Sequence, residues 1–118
     1  LLSMVFIAGP AQADPPVIEA VSATQSGHAW RFDVTLSHPD TGWDDYADGW
    51  RVLDMNGNVL GTRVLYHPHV TEQPFTRSLS GLEIPASIKE VQIEAKDLIG
   101  GWGGEKVTLD LENPHYAR

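Results

Sequence analysis

The sequence predicts an all-β chain folded as an antiparallel two-sheet sandwich of about seven strands. Three observations predict it. Apolar and polar residues alternate with a period of two over long stretches. Those stretches are short and separated by turn-forming residues at regular intervals. No stretch of eleven residues keeps its apolar positions at helical spacing.

The first expected strand, 17–24, is one of two weaker candidates. The second, 28–37, has the clearest pattern. Trp30, Phe32, Val34 and Leu36 alternate there with Arg31, Asp33, Thr35 and Ser37, as a half-buried strand requires. Segments 49–55 and 59–66 flank Asn56-Gly57-Asn58, whose residues accept positive φ and so predict a hairpin. Residues 75–80 form the other weak candidate, and 85–90 leaves room for at most one helical turn. In 90–97, Val91, Ile93 and Ala95 alternate with Gln92, Glu94 and Lys96. In 105–111, Val107, Leu109 and Leu111 alternate with Thr108 and Asp110. Seven short antiparallel strands bury most economically as two packed sheets.

Trp50, early in the third expected strand, resembles the core tryptophan of immunoglobulin-like and fibronectin type III domains. The run Ser80-Gly81-Leu82-Glu83-Ile84-Pro85, followed by Val91 to Asp97, is similar to the corner and following strand of fibronectin type III modules. Glu90-Val91 stands where those modules usually carry the corner tyrosine. The resemblance implies an immunoglobulin/fibronectin type III-like sandwich. As a whole the chain also resembles small exported bacterial proteins of uncharacterised function, which implies no activity.

At 118 residues the chain has room for one domain. A formal charge of -8 argues against a nucleic-acid partner, because phosphate backbones repel it. The absence of cysteine excludes disulfides and thiolate metal sites. Residues 1–13 are uncharged, too short to span a bilayer, and end in Ala11-Gln12-Ala13. They read as the end of a secretory signal whose basic region lies outside this sequence, with a buried N-terminal strand as the alternative. Cleavage after Ala13 would leave a single domain, 14–118, in a periplasm or outside the cell. With no lipobox cysteine and no second hydrophobic segment, neither a lipid anchor nor a membrane span is expected.

Chain reversal at each strand places the connections 38–48, 66–74 and 98–104 at one end of the sandwich. The plainer turns fall at the other end. The first end is rich in His, Asp and Trp, and loops on a rigid scaffold are where binding usually resides. His67-Pro68-His69 offers two imidazoles on one side of an extended chain, and Glu72, Asp44 or Asp45 could add a carboxylate. That set suits a divalent metal, zinc or copper. The competing reading is two exposed residues on a proline-protected edge.

Asp40, Asp44, Asp45 and Asp48 lack the spacing of an EF-hand, so a solvated acidic loop is the default. Trp43, Asp44, Asp45, Tyr46 and Trp102 are candidate ligand contacts for an exported protein, peptide or glycan partner. Trp102, between paired glycines, must either close the mouth of the core or offer a flat stacking face. No nucleophile elbow, zincin or phosphate-loop motif is present, and no catalytic residue is assigned.

Overall fold

A computed structural model describes residues 14–118; the expected signal segment, 1–13, lies outside the described residues. The fold is the all-β sandwich that the alternation predicts, with nine strands rather than about seven. They are β1 (Val17–Ser26), β2 (Ala29–Ser37), β3 (Ala47–Leu53), β4 (Val59–Val64), β5 (Phe75–Glu83), β6 (Glu90–Asp97), β7 (Gly101–Trp102), β8 (Val107–Asp110) and β9 (His115–Ala117). One sheet runs β5-β2-β1-β9. The other runs β4-β3-β6, with β7 and β8 both pairing along the far edge of β6. All pairings are antiparallel. This arrangement is compatible with an immunoglobulin-like sandwich. No helix of the described residues is long and apolar enough to cross a membrane.

The period-two rows become the two inner faces. Trp30, Phe32, Val34 and Leu36 of β2 share one buried cluster with Val91, Ile93 and Ala95 of β6 and Trp50 and Val52 of β3, from the other sheet. The expected strand at 75–80 runs on to Glu83. A bulge makes this possible: Trp30 pairs with Leu82 and Phe32 with Leu79, and Gly81 absorbs the extra residue at φ 71°. The expected strand at 105–111 contracts to β8, and β7 takes up the upper part of the same edge.

Candidate functional site

The two best inner rows each continue one step beyond the apolar core. After Leu36 the next inward position of β2 is His38; after Ala95 the next inward position of β6 is Asp97. Both are sealed from solvent, with side chains 0% and 1% exposed. They meet across the sandwich, His38 Nε2 lying 3.2 Å from Asp97 Oδ2. On the other side of the ring, Nδ1 lies 2.6 Å from Asp40 Oδ1. Asp45 completes the group, its Oδ1 3.8 Å from Nε2.

These side chains tie the connections together. Asp40 Oδ1 also accepts the Ala47 N–H at 3.0 Å, and Oδ2 accepts the His69 N–H at 2.8 Å. Asp97 Oδ1 accepts the Gly100 N–H at 2.8 Å. The Leu98 N–H donates to the Tyr46 carbonyl at 2.9 Å, and the His38 N–H donates to Gln73 Oε1 at 2.9 Å. The three connections therefore share one end of the sandwich, as chain reversal requires.

His67 and His69 do lie side by side, their ring centroids 4.6 Å apart. Their surroundings differ from those expected of ligands. His69 is buried and stacks on Phe75 at 3.9 Å, and its Nε2 accepts from Arg77 Nη2 at 2.7 Å. A guanidinium on that nitrogen occupies the lone pair a metal needs and repels a cation. His67 and Glu72 are exposed. Among the described residues, three metal-type donors converge at His38, Asp45 and Asp97 instead, with all three ligand atoms within 4.8 Å of one another. This His/Asp/Asp cluster can hold a metal ion.

The expected ligand contacts divide. Trp43 and Tyr46 meet edge to face at 5.8 Å, with Trp43 66% exposed and Asp44 exposed beside it. Asp45 turns inward to the cluster. Trp102 lies outside the buried core cluster. It pairs with Lys96 on the outer side of the second sheet, where the Arg51 guanidinium lies 3.9 Å from its ring centroid.

The two buried histidines are displaced in opposite directions. Burial lowers the His38 value, but its hydrogen bonds to Asp40 and Asp97 and the charges of Asp40 and Asp45 outweigh that and raise it above 6.5. Burial, Arg77 and His67 together hold His69 below 6.5. Stability contributed by His38 is thus complete below about pH 6.5 and is lost as pH rises through the folded value. The His69 contribution is complete above about pH 6.5 and is lost as pH falls. Urea unfolding of the metal-free protein should therefore show maximal stability near pH 6.5; a steady rise from about pH 6 to about pH 8 would contradict the His38 assignment.

Over 97 residues the chain is 39% identical to a protein of Halomicrobium mukohataei named "Putative lipoprotein". The match covers 82% of this chain and 47% of that protein, so the chain spans about half the length of the curated relative it matches. No family model matches the chain, and no solved structure matches it.

Proposed function

We propose that the chain is an exported recognition module that engages a protein partner through the end built from 38–46, 65–74 and 98–100. The observation that carries this reading is where the apolar side chains stand exposed. Of the eight large apolar side chains exposed among the described residues, five, Trp43, Tyr66, Val70, Leu98 and Ile99, project from these connections at 46% to 72% exposure. Met55 lies in the opposite turn, and Val59 and Val64 at the two ends of β4. Exposed apolar groups concentrated in this way mark interaction surfaces, and tryptophan and tyrosine are the residues most enriched at their centres. Side chains that stand out from the surface suit another protein better than a small ligand, which needs a concavity.

Export is supported by the relative's name and by the apolar run 1–13 ending in Ala11-Gln12-Ala13. Export alone is taken from that name. The single domain 14–118 is the part that would act.

Site-specific photo-crosslinking in the source organism tests the reading. A photoreactive residue at position 43 or 99 should trap the same exported protein, whereas one at Met55, in the turn at the opposite end, should not. The trapped protein, once purified, should bind the Ile99→Ser variant about tenfold more weakly than the unaltered chain. Identical adducts from positions 43 and 55, or none from either 43 or 99, would count against the proposal.

A further inference from the structure

We infer that His38, Asp45 and Asp97 form a site for one zinc-class divalent cation beneath the loop end. This goes beyond the recognition reading, since the ion can bind whether or not the exposed rim has a partner.

Charge is the first ground. Asp40, Asp45 and Asp97 surround a single imidazole, and among the described residues neither lysine nor arginine forms an ion pair with any of the three. A buried carboxylate group with too little positive charge is costly, and a dication offsets the excess. The second ground is an orphaned atom. Asp45 Oδ1 is shielded from solvent, faces His38 Nε2, and has no hydrogen-bond donor. A buried acceptor without a donor is rare in a folded protein, and a cation is the partner it lacks.

Geometry is the third. Zinc arms of about 2.0–2.2 Å at tetrahedral angles set ligand atoms about 3.3–3.6 Å apart. The imidazole nitrogen lies 3.2 Å from Asp97 Oδ2 and 3.8 Å from Asp45 Oδ1, on either side of that spacing. Asp40 supplies the fourth ground. By holding Nδ1 at 2.6 Å it fixes the tautomer that presents the Nε2 lone pair to the ion, as outer carboxylates do for metal-bound histidines. On binding, the cation takes the Nε2 lone pair, any proton there leaving to solvent, while the Nδ1 proton stays on the ring and is donated to Asp40.

The donor set selects the ion class. One imidazole and two carboxylates suit zinc or copper(II), whereas calcium calls for six to eight oxygens. Asp45 is the ligand nearest solvent, its side chain 24% exposed against 0% and 1% for the others. Water completing the coordination therefore enters past Asp45.

The test is calorimetric titration of the untagged, chelator-stripped full chain with zinc chloride. The unaltered chain should bind one zinc. Asp45→Asn should bind at least about tenfold more weakly. Its metal-free urea midpoint should be no lower than that of the unaltered chain, because the orphaned oxygen makes no hydrogen bond the fold needs and the cluster already holds more negative than positive charge. His67→Ala should bind as the unaltered chain does, and nitrogen NMR should show zinc moving the His38 Nε2 resonance. Absence of zinc binding would overturn the inference. So would equal affinity in Asp45→Asn, or loss of binding in His67→Ala.

Discussion

Replacing Asp40 with alanine should destabilise the metal-free protein by about 3–5 kcal/mol, the usual cost of stripping one partner from a buried charge pair. The side chain is fully buried, so solvent offers no replacement. Three donors lose their acceptor at once: His38 Nδ1, the Ala47 N–H and the His69 N–H. Those donors belong to the end of β2, the start of β3 and the connection into β5, so the loss loosens the joint between the segments that build the rim. Asp40→Asn keeps one acceptor oxygen and should fall between alanine and the unaltered chain. Asp44→Ala, on the exposed tip of the same loop, should change stability by no more than about 0.5 kcal/mol. Urea unfolding in chelator, with a constant denaturant slope, gives all three values. A cost below about 1 kcal/mol for Asp40→Ala would mean that the cluster is hydrated in solution and does not pin the loops.

What the sequence reveals here follows from the range of each interaction. The alternation in β2 and β6 is a local property that burial reads directly, and these strands form where their patterns place them, while β3, expected from the turn it flanks, forms two residues earlier than 49–55. Two-residue β7 and three-residue β9 hold no alternation long enough to recognise; they exist because β6 and β1 have edges to pair. The shared end of the three connections is legible as well, since it follows from chain direction alone.

The centre of the site is harder to read. His67-x-His69 stands out because its residues are neighbours in sequence, yet neighbours say nothing about Arg77 and Phe75, which take up His69. His38 and Asp97 are 59 positions apart and meet only when the sheets pack. A clue was nonetheless present. Each continues an apolar period-two row by one inward step, and a polar residue in such a place must find a partner from the facing sheet. Trp102 is hard to place from local sequence for a related reason: its glycine neighbours leave its surroundings to Arg51, on another strand.

Trp50 combines both kinds of information and gives the second large effect. Its resemblance to the core tryptophan of immunoglobulin-like domains implies burial, and the residue is 0% exposed in the core. Trp50→Ala should therefore cost about 3–5 kcal/mol, through lost transfer free energy and the cavity left behind. That is a large share of the roughly 5–15 kcal/mol available to a domain of this kind. Sequence alone does not show that the indole Nε1 is buried without an acceptor. An unmade buried hydrogen bond costs about 1–3 kcal/mol, so the native side chain carries a penalty within its own packing gain. Phenylalanine removes that donor and keeps most of the apolar volume, while losing the contacts of the second ring. Trp50→Phe should accordingly cost no more than about 1.5 kcal/mol, far less than alanine, in parallel urea titrations. Similar costs for phenylalanine and alanine would show that the indole N–H is satisfied in solution, by an enclosed water bridging it to a backbone carbonyl. The core would then depend on a polar contact rather than on volume alone.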